Sequence, residues 1–215
     1  NAFEAKVMYN ELFSKLLKAL NNIGKKPIMA YGGYESIILC NTNSPARLYG
    51  VAQSVGYGEY RAITPVGGGM PVNKYYFLPT HCRMRFDDVA RILSEHGYFS
   101  ASKSEKEHAL DYYRDICNCG ICHEIIRDDI NGFSTYNDSI PYTVKTRNGI
   151  LTKNRPTTDA TLIAAIHFLN CKVFEWNYIE NENLSTVLDN LKSCYAQYQP
   201  KLVGHINKWC EIYGK

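Results

Sequence analysis

Cys117-Asn118-Cys119-Gly120-Ile121-Cys122-His123 is the stretch on which the reading of this chain turns. Three thiols fall within six residues, and an imidazole sits next to the last. Thiolates at C-x-C-x2-C spacing can converge on one soft or borderline cation. Zinc is the expected ion, because its tetrahedral thiolate and imidazole sites tolerate many backbone shapes. A fourth ligand has to come from elsewhere. The first candidate is His167, on the apolar helical run Ala160-Thr161-Leu162-Ile163-Ala164-Ala165-Ile166-His167-Phe168-Leu169. His123 ranks behind it, since adjacency to Cys122 makes chelation of the same metal awkward. Cys171, one helical turn beyond His167, is third. The competing reading is a set of buried free thiols or disulfides. Eight Cys in 215 residues is above average without being disulfide-dense. The other five (Cys40, Cys82, Cys171, Cys194 and Cys210) are scattered, and the spacing of the first three favours a metal.

The chain is 45% hydrophobic, enough for one or two ordinary cores. A net charge of +3 is compatible with a nucleic-acid partner but does not argue for one. No run of about 18 apolar residues is present, so no membrane span is expected, and the expected location is the cytoplasm. Seventeen tyrosines offer flat apolar bodies with polar tips, suited to base stacking but more often used in cores. Asn1-Ala2 precedes Phe3 in the manner of a cleaved tag, from which a piece of a longer protein is expected.

In chain order, residues 3–23 read as an amphipathic helix whose apolar face is Met8, Leu12, Leu16 and Leu20, with Phe13 and Leu17 beside them. Gly24 would stop it. Pro27–Tyr31 reads as a strand running into Gly32-Gly33-Tyr34, where paired glycines allow a tight turn or a close backbone approach. Ser44-Pro45 reads as the start of a helix carrying Ala46, Leu48, Val51 and Ala52. Gly56–Arg61 and the triple glycine Gly67-Gly68-Gly69 read as loops, without the Lys-Ser/Thr that finishes a phosphate loop. Lys74–Pro79 reads as a strand. Asp87-Asp88 opens a helix that Gly97 ends, the two acids suiting the first turn. A short strand over 98–101 and a charged helix through Glu105–Arg114 then lead to Cys117.

Residues 27–116 thus alternate strand and helix, the pattern of β/α units with parallel strands. A complete eight-fold barrel needs on the order of 200 residues, so this segment is a small open α/β layer or part of a barrel. Beyond the cysteines, Glu124–Asp129 reads as a short helix. Residues 143–153 read as a hairpin around Asn148-Gly149. Three helices follow: one bearing His167, one near 184–198 and one near 201–213, the last two separated by Pro200. No internal repeat is visible.

Strand-Gly-Gly, a later strand–helix–strand unit and C-x-C-x2-C together resemble the C-terminal part of the tRNA-guanine transglycosylase superfamily. Those enzymes exchange a guanine in tRNA, or in related members DNA, for a 7-deazaguanine base. The resemblance implies an α/β fold, with a partial (β/α) barrel-like layer over 1–116 and a zinc-binding, mainly helical subdomain over 117–215 that carries an inserted hairpin. It makes Cys117, Cys119, Cys122 and His167 the zinc ligands, with Ile166–Asn170 similar to the family's helix around its His. The gap from Cys122 to His167 exceeds the family's spacing, and on this resemblance the hairpin near 143–153 would be the insertion that makes up the excess. Gly32, Gly33 and Tyr34 would meet the substrate base. Tyr75–Pro79 and the helix from Asp87 resemble the penultimate barrel strand and its helix.

The chain departs from the family at the nucleophile. Ser100, within Gly97-Tyr98-Phe99-Ser100-Ala101, stands where the family's last barrel strand carries its Asp. A serine hydroxyl is a weak nucleophile without a base, so no catalytic residue is assigned. The family's second catalytic acid comes from an N-terminal half outside this chain, so that half or a partner subunit is the expected complement. The implied chemistry is displacement of guanine at C1′ by a carboxylate, then attack by the modified base. The zinc would be structural, since four protein ligands leave no open position. Arg83, Arg85 and Lys103, at loop or strand ends, are candidate phosphate contacts, although solvated surface charge is the commoner role of such residues. The alternative is a non-catalytic accessory subunit, or a zinc-stabilised nucleic-acid-binding module without a nucleophile.

Overall fold

The computed structural model describes residues 3, 5–52, 72–146 and 149–214. In chain order its elements are α1 (Val7–Asn22), β1 (Ile28–Ala30), α2 (Tyr34–Ile38), β2 (Gly50–Ala52), β3 (Lys74–Phe77), β4 (Cys82–Arg85), α3 (Phe86–Glu95), α4 (Glu105–Asp115), α5 (Gly120–Ile126), a 3-10 segment Ile130–Asn137, β5 (Ser139–Thr146), β6 (Gly149–Pro156), α6 (Thr158–Asn181), α7 (Leu184–Tyr198) and α8 (Val203–Tyr213). The protein is mixed helix and sheet, with helix dominant. The described strands form three two-stranded sheets, β1–β2, β3–β4 and β5–β6. The described strands form no closed barrel.

Two compact units divide the chain, and each is assembled from separate segments. The first takes residues 1–63, 79–82 and 172–215, and the second takes 64–78 and 83–171. The core of the first unit joins Leu17 of α1, Ile37 and Ile38 of α2, Leu188 and Tyr195 of α7, and Ile206, Trp209 and Tyr213 of α8. β1 and β2 pair in parallel, Met29 opposite Val51.

Two expectations change in this unit. The stripe Met8, Leu12 and Leu16 on α1 points outward, each 54–56% exposed, while Asn10, Ser14 and Leu17 are buried. Ser14 is small and allows close approach, and the Tyr213 hydroxyl reaches the Asn10 carbonyl at 3.0 Å. Contact with α8, not the hydrophobic count of the stripe, decides which face is buried. The second change lies after Ser44, where no helix forms and residues 50–52 are strand β2. Asn41 explains the difference. Its Oδ1 accepts from the Asn43 N–H at 2.9 Å, and its Nδ2 donates to the carbonyls of Ile179 and Glu182 at 2.7 and 2.9 Å. A side chain that bonds its own backbone offers an alternative to helix.

The second unit contains α3 through β6 and the first part of α6. The predicted strand over 98–101 is a turn. Gly97 adopts φ +83°, Tyr98 N–H returns to the Leu93 carbonyl at 3.0 Å, and this closes α3 in a left-handed cap. Ser104 then opens α4 with a capping box. Its Oγ accepts from the Glu107 N–H at 3.3 Å, and Glu107 takes the Ser104 N–H at 2.9 Å. The chain therefore passes from helix to helix without a strand. The expected hairpin is present, pairing Ser139 with Pro156 through to Thr146 with Gly149. Asn1-Ala2, the loops at 56–61 and 67–69, and the turn residue Asn148 lie outside the described residues.

Candidate metal centre

The ligand atoms of Cys117, Cys119, Cys122 and His167 all lie within 4.8 Å of one another. Local structure explains how three thiols meet. Cys117 follows the end of α4, with its N–H bonded to the Tyr112 carbonyl at 3.1 Å. Cys119 stands just before α5, and Cys122 lies in the first turn of that helix. The fourth group arrives from α6, whose buried face in this unit is Ala160, His167, Phe168 and Cys171.

His167 Nε2 lies 2.8 Å from the Tyr76 carbonyl. A carbonyl only accepts, so Nε2 carries a proton, and Nδ1 is the nitrogen turned toward the thiols. Nδ1 is 3.3 Å from Cys119 Sγ, 3.4 Å from Cys122 Sγ and 3.9 Å from Cys117 Sγ. With metal–sulfur and metal–nitrogen bonds of about 2.3 and 2.05 Å in tetrahedral array, nitrogen and sulfur would be about 3.5 Å apart. The measured spacings bracket that value. The bond from Nε2–H to a carbonyl is also the usual outer partner of a metal-bound imidazole. These residues therefore fit a four-coordinate ion of the thiolate–imidazole class, and the donor set is consistent with zinc.

His123 does not join them. Its Nε2 bonds Asn118 Oδ1 at 2.5 Å, and its ring stacks on Tyr113 at 3.9 Å on the surface. Cys171 stands beside the group without belonging to it.

The surroundings of Cys122 were not legible from the motif. Its sulfur is 3.7 Å from Tyr75 Oη, 3.4 Å from Tyr112 Oη and 3.4 Å from Tyr136 Oη. Tyr75 and Tyr112 also bond to each other through their hydroxyls. Burial, and then the charge at Cys122, push all three phenols above their ordinary pKa, so each remains a donor. Burial opposes ionisation of Cys122, yet bonds from Cys117 and Cys119 and the charge of His167 outweigh it and hold its pKa well below the usual thiol value. Burial likewise opposes charge on His167, but the Cys122 sulfur outweighs it and raises that pKa. The site is built for negative sulfur with positive charge beside it. Phe133 packs edge-on to Tyr75 at 5.1 Å and closes the aromatic wall.

The candidate base-contacting residues lie in the first unit. Gly33 N–H donates to Glu35 Oε1 at 2.9 Å. A Cβ at Gly32 would stand 2.5 Å from Ser36 Cβ and 2.7 Å from Val51 Cγ1, so internal packing accounts for glycine there. Tyr34 is buried and stacks on His81 at 3.4 Å. The three candidate phosphate contacts have partners within the protein. Arg83 lies over the Phe168 ring at 3.9 Å, Arg85 is exposed 3.4 Å from Asp87, and Lys103 pairs with Asp111. Arg85 and Arg155 share the lining of a cleft of about 210 Å³ with Asn73, Asn137 and Asn154. The Ser100 hydroxyl pairs with Ser102 at 2.7 Å, and His108 bonds the Ser100 carbonyl at 2.8 Å.

The sequence reading also missed a buried ionic cluster in the first unit. Glu175 is fully buried; its Oε1 accepts from His81 Nδ1 at 2.7 Å and its Oε2 from Lys172 Nζ at 2.8 Å. Burial is the larger influence on His81 and lowers its pKa despite Glu175. Burial works against the Glu175 carboxylate too, but the bond from His81 and the Lys172 charge hold its pKa below the ordinary value. The spacing Lys172–Glu175, three residues apart on a helix, was the one available sequence signal.

Compared with protein-family models, with curated proteins and with solved structures, the chain matches none.

Proposed function

We propose that this chain is the zinc-bearing part of a nucleic-acid base-exchange protein of the tRNA-guanine transglycosylase type, which replaces guanine by a 7-deazaguanine. The observation that supports it is the ligand set. Three thiols at C-x-C-x2-C spacing face Nδ1 of a histidine on a later helix, the order the family resemblance implies. Bound there, zinc would cross-link α6 to the cysteine turn; with four protein ligands it keeps no position for water or substrate. The barrel-like layer belongs to the same proposal, with the remaining strands and the reacting carboxylates coming from a complementary segment or subunit. In that assembly a carboxylate attacks C1′ of the target nucleotide, guanine leaves with the bonding pair, and the 7-deazaguanine nitrogen then displaces the carboxylate. The target base has to leave its stack to be reached.

Ser100 favours a second reading, a non-catalytic accessory subunit that keeps the zinc site but not the nucleophile. Its hydroxyl pairs with another serine, not with an imidazole or carboxylate.

Two measurements test the proposal. Elemental analysis is expected to find about one zinc per chain, retained by His123→Ala and lost when Cys119 and Cys122 are both changed to Ala. Absence of metal, with the thiols titrating as free groups, would overturn it. Labelled-guanine exchange in tRNA and in duplex DNA, with the complementary segment added, separates the two readings. Incorporation supports the first, and salt-sensitive binding without exchange supports the second.

A further inference from the structure

Five donor groups face four coordination positions at this centre. Cys171 is 1% exposed and follows His167 by one turn of α6. Its Sγ is 3.8 Å from Cys117 Sγ, and 3.8 and 3.6 Å from Nδ1 and Nε2 of His167. Two thiolates held by one tetrahedral ion at about 2.3 Å each are about 3.8 Å apart. Cys171 therefore already stands at ligand spacing from Cys117, with the imidazole of His167 against it. Four-thiolate sites are as ordinary for zinc as three-thiolate, one-imidazole sites. Loss of the imidazole would open the volume that Nδ1 and Nε2 now fill 3.8 and 3.6 Å from the Cys171 sulfur.

We propose that Cys171 is a reserve ligand of the metal centre. While His167 holds the fourth position, the Cys171 sulfur stays outside the ligand set, 3.8 Å from the Cys117 sulfur. When the imidazole is lost, Cys171 releases its proton to water and its sulfur bonds the metal. The proposal rests on the metal reading above, and the experiment distinguishes failure of the one from failure of the other.

Cobalt(II) is the probe, because its thiolate charge-transfer absorption scales with the number of sulfur ligands. The wild-type chain is expected to bind one cobalt with three thiolates. His167→Ala is expected to bind one cobalt with that absorption about a third stronger, four sulfurs replacing three, and His167→Ala/Cys171→Ala to bind none. A folded His167→Ala that binds no cobalt would overturn the reserve role while the wild-type centre stands. So would cobalt bound with unchanged absorption that Cys171→Ala does not affect. A wild-type chain that takes up no cobalt overturns the metal reading and this inference together. Should His167→Ala fail to fold, release of zinc to a chelator is compared between the wild-type chain and Cys171→Ala. Release several-fold faster without the reserve thiol supports the proposal, and equal rates overturn it.

Discussion

Replacing Glu175 by Gln removes one negative charge from the interior of the first unit and leaves its shape almost unchanged. The amide can still accept from His81. What it cannot do is balance Lys172, whose ammonium is buried 2.8 Å from the carboxylate. Breaking a buried pair on one side typically costs about 3–5 kcal/mol. Against a total stability of about 5–15 kcal/mol the loss is large. In urea, with a slope of about 2 kcal/mol per molar, the midpoint should fall by roughly 2 M. The double change Lys172→Met/Glu175→Leu should cost less than Glu175→Gln alone, because no charge is left without a partner. A Glu175→Gln loss below about 1 kcal/mol, or a double change that costs as much as the single one, would refute the reasoning.

His81 gives a pH dependence of definite sign. Its folded pKa lies below the ordinary 6.5, so the unfolded chain takes up the proton first. The stability it contributes is complete above pH 6.5 and is lost as pH falls from there toward the folded value. Glu175, whose folded pKa lies below 4.5, adds a further loss below that pH. Thermal unfolding from pH 8 to 4 should show the first decline, and His81→Gln should flatten it; an unaltered profile would count against the assignment. At the Gly-Gly turn, Gly32→Ala places a Cβ against Ser36 and Val51 and should cost about 1–3 kcal/mol. At Gly33→Ala the nearest atoms to a Cβ belong to the far end of the Glu35 side chain, and the change should cost less in the same melt; equal losses would show that packing is not what requires glycine at 32.

Much of the local structure was legible in the sequence because it is locally determined. The hairpin, expected over 143–153 and found over 139–156, the helix bearing His167, and α3 with its acidic first turn all follow from short-range pattern. The C-x-C-x2-C spacing pointed to three of the thiols that the structure brings together, and the expected preference for His167 over His123 matches which imidazole stands with them. The misread parts depend on distant residues. Which face of α1 is buried is set by α8, almost the whole chain away, and a polar Asn10 and Ser14 can face inward because Tyr213 meets that backbone. The strand Gly50–Ala52 exists because β1 lies parallel to it and Asn41 ties the intervening turn to residues 179 and 182. The phenols around Cys122 come from positions 75, 112 and 136, and no spacing rule links them.

The bond from His167 Nε2 to the Tyr76 carbonyl also bears on the order in which the protein assembles. The two residues are 91 positions apart, and the thiols lie between them in sequence. Three cysteines on a short turn can gather an ion early, soon after that turn forms. If the centre holds a metal, the fourth position would become dependable only when α6 and β3 have met, because the strand carbonyl fixes Nε2–H and turns Nδ1 to the thiols. Tight metal capture would then be a clock for long-range closure of the second unit, slower than formation of the cysteine turn itself. In a stopped-flow experiment, uptake should occur in two phases, and shortening the path between strand and helix by circular permutation should accelerate only the later one.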